Sequence, residues 1–298
     1  MRHDGMTLRM TKKPMATKTD RQPLENPIIA FQGEPGAFSH AAARKLLGEK
    51  VAVLPCIGFR NVFEALSAGH ATHAVIPVEN TLHGSVLENY DYLLEYGIPI
   101  VGETSIRISH QLIAMPGVRF RDVVRVLSHP VALSQCRKFF LNHPRLEMTS
   151  HYDTAGSVKT LQEKRPERTA AIASEAAAQI YGGTILRRNI EDDRRNFTRF
   201  VLLSRRSLPQ RKAAWKTSLV FSVANKPGAL FKAMACFALR DVNLIKIESR
   251  PLRGSPWEYH FYVDLNGSIN DPNVEKAVAN LGELTNFLRL LGSYQPTA

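Results

Sequence analysis

The sequence predicts an α/β protein of two lobes followed by a smaller α+β unit, and three observations carry that prediction. From Ile28 onward, short apolar runs alternate with helical patterns, the signature of helices layered on a mostly parallel sheet. The alternation passes through two cycles and then returns toward the first sheet over 200–203. Roughly the last eighty residues change order to β-α-β-β-α-β, which is ferredoxin-like.

The first strand is Ile28–Gln32, and the turn Gly33-Glu34-Pro35-Gly36 leads into a helix over 39–47. A strand over 51–54, a helix over 59–68 and a strand over 74–78 complete the first cycle, which ends at Glu79-Asn80. Strand C-termini in such sheets face the ligand crevice, so topology places Glu79 and Asn80 there. The second cycle runs through strands Gln111–Ala114 and 124–128, a helix over 131–140, a strand over 147–151, a helix from about 155, and the strand Thr169–Ala173. Two lobes joined by a crossing and a return enclose a cleft that closes by a hinge. Residues 205–216 are polar, charged and carry Pro209, so the domain boundary is expected there. Beyond it, 218–224 alternates as a strand, and Pro227-Gly228 opens a helix with Leu230, Met234 and Phe237 on one face. Paired strands over 244–248 and 260–264, the helix Pro272–Leu284 and a strand over 287–291 complete the unit.

A chain of 298 residues with 44% hydrophobic content can bury the cores of two domains. No apolar run approaches the roughly 20 residues that span a bilayer, and the N-terminus lacks a secretory h-region, so no membrane partner is expected. Cys56, Cys136 and Cys236 are too scattered for a disulfide framework or a zinc site, which suggests a reducing, cytoplasmic location. His70 and His73 have metal-like spacing but lack a third ligand nearby and read as structural. Residues 1–27 are polar, hold four methionines and read as a disordered tail; Asp4, Asp20 and Glu25 argue against a transit peptide. The net charge of +12 invites a nucleic-acid reading, but much of the excess lies in 187–216, which has neither interleaved aromatics nor a zinc-finger or helix-turn-helix pattern. A solvated surface, or a field attracting small anions, fits better, and no nucleic-acid partner is expected.

Several short segments put polar groups at strand ends or helix starts. Asn196-Phe197-Thr198-Arg199-Phe200 sets a hydroxyl beside a guanidinium, or simply opens a strand. In Pro77-Val78-Glu79-Asn80-Thr81, the side chain of Asn80 or Thr81 can face a ligand or cap the next helix. Ser128-His129-Pro130 is followed by Gln135, and Asp153-Thr154-Ala155-Gly156-Ser157 puts hydroxyls and amides where a helix begins. That arrangement suits a carboxylate ligand and equally a plain N-cap.

Taken in order, and together with Asn225-Lys226-Pro227-Gly228-Ala229-Leu230 and Glu248-Ser249-Arg250-Pro251, these segments resemble the prephenate dehydratase family over about 28–294. The resemblance implies a bilobal, periplasmic-binding-protein-like catalytic domain over 28–204, a linker over 205–216 and a ferredoxin-like ACT regulatory domain over 217–295. It implies conversion of prephenate to phenylpyruvate for phenylalanine biosynthesis, by loss of water and carbon dioxide, without metal or organic cofactor. Thr198 is then the catalytic hydroxyl, with Glu79, Asn80 and Gln135 as further catalytic groups and Arg199 as a bidentate partner for a substrate carboxylate. Ser39, Thr81, Ser128, His129, Asp153, Thr154 and Ala155 are the implied substrate contacts. Asn225, Pro227, Gly228, Ala229, Leu230, Glu248, Ser249 and Arg250 are the implied binding residues for inhibitory phenylalanine, at a subunit interface of a homodimer or homotetramer. The chain departs from the family pattern at Ala37, where many members have Thr, and at Val131, where a Gln is common. Arogenate as substrate, or a non-catalytic anion receptor that senses amino acids, are the alternative readings.

Overall fold

The computed structural model describes residues 27–208, 214–252 and 257–296. The tail expected to be disordered lies outside them except for Pro27, as does the centre of the expected linker.

The first lobe is built from β1 (Ile28–Gln32), α1 (Phe38–Leu47), β2 (Ala52–Cys56), α2 (Phe59–Ser67), β3 (His73–Asn80), β4 (Gly84–Ser85), α3 (Leu87–Tyr96) and β5 (Ile100–Arg107). The chain crosses to the second lobe, which holds β6 (Gln111–Ala114), β7 (Arg125–Ser128), α4 (Pro130–Ser134), α5 (Arg137–Leu141), β8 (Glu147–Ser150), α6 (Thr154–Lys164), β9 (Thr169–Ala173), α7 (Glu175–Ile180) and β10 (Thr184–Arg187). β11 (Phe197–Leu203) returns to the first lobe. The C-terminal unit follows as β12 (Lys216–Ser222), α8 (Ala229–Ala238), β13 (Leu244–Pro251), β14 (Tyr259–Asn266), α9 (Pro272–Leu284) and β15 (Phe287–Pro296).

β1 pairs in parallel with β2 and β3, and β7 in parallel with β8 and β9, as the βα alternation requires. The sheets are nonetheless mixed rather than mostly parallel. β11 re-enters from the other lobe and runs antiparallel to both β3 and β5, while β6 is antiparallel to β9 and β10. The helix expected over 131–140 is instead α4 and α5, because Cys136 leaves helical geometry between them (φ −115°, ψ 26°).

The lobes touch at the first turn. Gly36 has φ +92°, and a Cβ there would meet the Ala177 backbone at 2.7 Å, so only glycine permits this approach. Ser174 Oγ donates to the Gly36 carbonyl at 2.6 Å, and Lys159 Nζ reaches Glu34 at 3.0 Å. At the other end, β15 pairs in parallel with β5, so the C-terminal sheet continues the first lobe's sheet. Val220, Tyr262, Leu291 and Tyr294 of the C-terminal unit share one apolar cluster with Val78, Tyr90, Leu93, Ile100 and Val201 of the first lobe. A separate core of Leu219, Phe221, Phe237, Val263, Leu265 and Leu281 fills the C-terminal unit itself.

Candidate functional site

A cleft of about 510 Å³ opens between the lobes. Strands of the first lobe, including the return strand, reach it: Gln32 of β1, Pro77 and Asn80 of β3, and Thr198 and Phe200 of β11. The first turns of α1, α2, α3 and α6 also line it, through Phe38 and Ser39, Phe59, Glu88, and Thr154. Four N-termini aimed at one space favour an anionic ligand. The described lining residues include no Lys or Arg.

Strand periodicity sorts the β11 residues. Thr198 and Phe200 face the cleft, whereas Arg199 and Val201 face the C-terminal unit. Thr198 pairs in register with Asn80 of β3, and Asn80 Nδ2 donates to Thr198 Oγ1 at 2.9 Å. Asn80 is itself fixed: its amide donates to Asn196 Oδ1 at 2.8 Å, and its Oδ1 accepts from the Leu82 and His83 backbone N–H groups at 2.9 and 3.0 Å. Because Thr198 Oγ1 accepts from Asn80, its own hydrogen is left to point elsewhere, and the acceptance makes it a better donor.

Arg199 does not reach the cleft. Its guanidinium donates to Asp264 of β14 at 2.5 Å, lies 3.4 Å from Glu103, and is 3.4 Å from Glu79. The expected role of binding a substrate carboxylate is corrected accordingly: adjacent strand residues point to opposite faces, so Thr198 and Arg199 cannot both line one pocket. Glu79 sits on that same far face, 3.3 Å from Lys246 of β13, and is likewise absent from the cleft wall.

The other expected contacts divide in the same way. Gln135, Ser39, His129, Asp153 and Thr154 line the cleft. Ser128 is buried and donates to the Ile172 carbonyl at 2.7 Å, and Ala155 is wholly buried in the second lobe's core, so neither side chain faces a ligand. Thr81 staples the return crossing to the end of β3: its Oγ1 donates to the Arg195 carbonyl at 2.8 Å and accepts from Phe197 N–H at 3.0 Å. Asp153 caps α6, accepting from Gly156 N–H at 2.9 Å and from Glu34 N–H across the cleft at 3.2 Å, and burial pushes its carboxyl above the usual range. His129 Nδ1 accepts from Val131 N–H at 3.3 Å, and burial holds that imidazole below its ordinary range. His110, Glu88, His83 and Ser85 also line the cleft and were not singled out from sequence. The only sequence signal for His110 was a polar pair, Ser109-His110, opening an apolar strand.

In the C-terminal unit, Gly228 takes φ +75° as the N-cap of α8, the left-handed conformation its position requires. Glu248 and Arg250 alternate onto the inner face of β13. Ser85 Oγ donates to Glu248 Oε2 at 2.6 Å, and Arg250 holds Asp91 bidentately at 2.5 Å. Both contacts join this unit to the first lobe, and Ser249 takes the exposed face between them. Several described residues of the basic segment 187–216 also have partners: Arg188 pairs with Glu175 and Arg195 with Asp193, Arg187 lies over the Phe120 ring, and Lys216 reaches Glu103 in the junction.

An interlobe cleft bordered by the first turns of helices, with a ferredoxin-like unit joined to one lobe, defines a bilobal α/β protein whose candidate small-ligand site lies between the lobes. The comparisons with known proteins make that class specific. The prephenate dehydratase family model matches residues 29–208 and the ACT domain model matches 217–283; the chain belongs to the prephenate dehydratase family. It is 45% identical over 276 residues to arogenate dehydratase/prephenate dehydratase 2, chloroplastic, of Arabidopsis thaliana, covering 89% of this chain and 72% of that protein. Arogenate dehydratase 2 of Petunia hybrida is 43% identical over 283 residues, covering 89% and 71%. Among solved structures, prephenate dehydratase of Arthrobacter aurescens in complex with L-Phe is 34% identical with a TM-score of 0.81, covering 90% of this chain and 89% of that one. The quorum-quenching acylase GqqA is 37% identical with a TM-score of 0.82, covering 90% and 98%. These matches overturn the cytoplasmic expectation, since several relatives are named as chloroplastic enzymes. Unpaired cysteines are compatible with any reducing compartment, so they could not separate the two.

Proposed function

We propose that the interlobe cleft is where this dehydratase removes water and carbon dioxide from prephenate or arogenate, with Thr198 as the hydroxyl that meets the departing oxygen. One observation carries this reading: Asn80 donates to Thr198 Oγ1, leaving the Thr198 hydrogen for a ligand. As the ring C–O bond breaks, the proton passes from Thr198 to the leaving hydroxyl and water departs. The C–C bond to the ring carboxylate supplies its electron pair to the ring, and carbon dioxide leaves. Thr198 regains its proton from solvent. Aromatisation supplies much of the driving force, and the cleft supplies a proton donor and a space that favours neutral carbon dioxide over a carboxylate. Gln135, Ser39, His129 and Thr154, with the helix N-termini, meet the remaining anionic groups.

The ACT unit binds phenylalanine through Asn225, Pro227, Gly228, Ala229 and Leu230 and the Glu248-Ser249-Arg250 segment, and the effector inhibits. The ACT match and the L-Phe complex of the Arthrobacter protein support this. The Ser85 to Glu248 hydrogen bond gives a route, because Ser85 lines the cleft and Glu248 lies in the effector segment. Effector sites of this kind sit between subunits, so the working form is a homodimer or homotetramer. Domain limits of 28–204 for catalysis and 217–295 for regulation follow from the same reading. The test is product formation from each substrate, phenylpyruvate from prephenate and phenylalanine from arogenate, with and without added phenylalanine. Turnover of at least one, slowed by phenylalanine, is expected. A folded protein that consumes neither substrate would sink the catalytic reading.

A further inference from the structure

Gln135 meets His110 in the wall of the cleft, where only Gln135 was expected. His110 Nε2 lies 2.7 Å from Gln135 Oε1, the residue is 1% exposed, and its Nδ1 is buried without a partner among the described residues. Two arrangements satisfy the 2.7 Å contact. In one, Nε2–H donates to the Gln135 oxygen, Nδ1 is a bare lone pair, and the Gln135 NH2 group is free. In the other, the amide is turned over, its NH2 donates to a bare Nε2, and Nδ1 carries its hydrogen with no acceptor among the described residues. A buried N–H without an acceptor is rarer and costs more than an unused lone pair, so the first arrangement is favoured. Burial also keeps the ring neutral, holding His110 below the ordinary imidazole range, so there is one ring hydrogen to place.

The pair is held by one loop. His110 N–H donates to Glu191 Oε2 at 2.9 Å, and Ile190 N–H donates to the His110 carbonyl at 3.0 Å. Asp192 N–H donates to the Gln135 carbonyl at 2.7 Å. The segment returning from the second lobe thus pins both partners.

We propose that His110 is a positioning residue: it turns the Gln135 carboxamide so that the NH2 group, rather than the oxygen, is presented to the cleft as a donor to a substrate oxygen. The described lining has no Lys or Arg, so a neutral donor fixed in this sense bears directly on how an anionic substrate is oriented. The proposal rests on the dehydratase reading for the identity of the substrate, and on ring and amide geometry alone for the orientation.

Two measurements on the full chain test it. Long-range proton–nitrogen spectra of histidine-labelled protein, assigned with His110→Asn, are expected to show His110 neutral with its hydrogen on Nε2; a hydrogen on Nδ1 would overturn the orientation. Steady-state kinetics of His110→Ala, Gln135→Met and the double variant supply the second. His110→Ala is expected to lose about tenfold in kcat/KM, roughly what one orienting hydrogen bond carries. In the Gln135→Met background the same change costs less than twofold, and His110→Asn, which keeps a donor, recovers most of the loss. Additive losses would show that His110 does not act through Gln135. A wild type that turns over neither substrate removes the dehydratase reading, and the ring spectrum still decides the orientation.

Discussion

Strand β11 separates two polar regions that are built differently. On its cleft face, Thr198 looks into about 510 Å³ bordered by helix first turns, apolar side chains and polar groups that include Gln135, Asp153 and Glu88. On its other face, Arg199 joins Asp264, Glu103 and Glu79, with Lys216 on Glu103 and Lys246 on Glu79, around a space of about 10 Å³. Ser218 Oγ donates to Asp264 Oδ1 at 2.5 Å, and Tyr294 OH donates to Glu103 at 3.2 Å, so the carboxylates in the junction are met from several sides. Polar groups with unspent hydrogen-bonding capacity beside open space are prepared for a ligand. Charges that neutralise one another in a closed space hold two units together. The adjacent residues Thr198 and Arg199 therefore meet two different surroundings, one on each side of a sheet.

The comparison breaks most visibly at Thr198. Thr198→Ala is expected to cut kcat by about 10²–10⁴, the usual cost of removing a positioned proton donor, with the melting temperature nearly unchanged. A variant that keeps most of its turnover would move the chemistry away from this hydroxyl. Arg199→Met makes the opposite prediction. Removing one member of a buried charge network strands the others, so urea unfolding should show a loss of about 3 kcal/mol while substrate KM changes less than twofold. A large rise in KM with unchanged stability would restore Arg199 to substrate binding.

His73 at the start of β3 sharpens the contrast through pH, because it is a buried imidazole outside both regions. Burial, with the Arg206 charge second, depresses it to about 4. Its folded value lies below the unfolded one, so the unfolded chain takes up the proton first as pH falls. The stability this group contributes is complete above about pH 6.5 and is lost as pH falls toward 4, amounting to about 2 kcal/mol by pH 5. His73→Val should show a smaller fall in melting temperature between pH 7 and 5 than wild type; an equal fall would assign the acid sensitivity to other groups. The smallest effect belongs to Glu79→Gln. Its carboxylate is partly exposed and faces the junction, so the expected cost is under about 1 kcal/mol, with kcat within twofold of wild type. A hundredfold fall in kcat would return Glu79 to the catalytic groups.

Much of this arrangement was legible in the sequence, and the parts that were not share a cause. The apolar runs Ile28–Gln32 and Thr169–Ala173 and the helical period of Pro272–Leu284 matched the observed elements, because the first two are largely buried strands and the third buries one helix face, patterns that are local in sequence. Strand direction was not legible. That β11 runs antiparallel between β3 and β5 depends on a crossing and a return more than eighty residues apart, not on any residue in the strand. For the same reason Thr198, Asn80 and Gln135 could be picked out as cleft groups, whereas Glu79, Arg199, Ser128, Thr81 and Ala155 were grouped with them although they point elsewhere. Motif proximity carries the neighbourhood of a site, and the two-residue period of a strand then divides that neighbourhood between two faces. His110 was missed because its partners, Gln135 and Glu191, are distant in sequence and meet only in the fold.

The most direct test of this division is a crystal structure of the full chain with an unreactive substrate analogue. The ligand is expected in the interlobe cleft, with an oxygen within hydrogen-bonding distance of Thr198 Oγ1 and with Arg199 still on Asp264. A ligand carboxylate held by the Arg199 guanidinium, or seated outside the cleft, would contradict it.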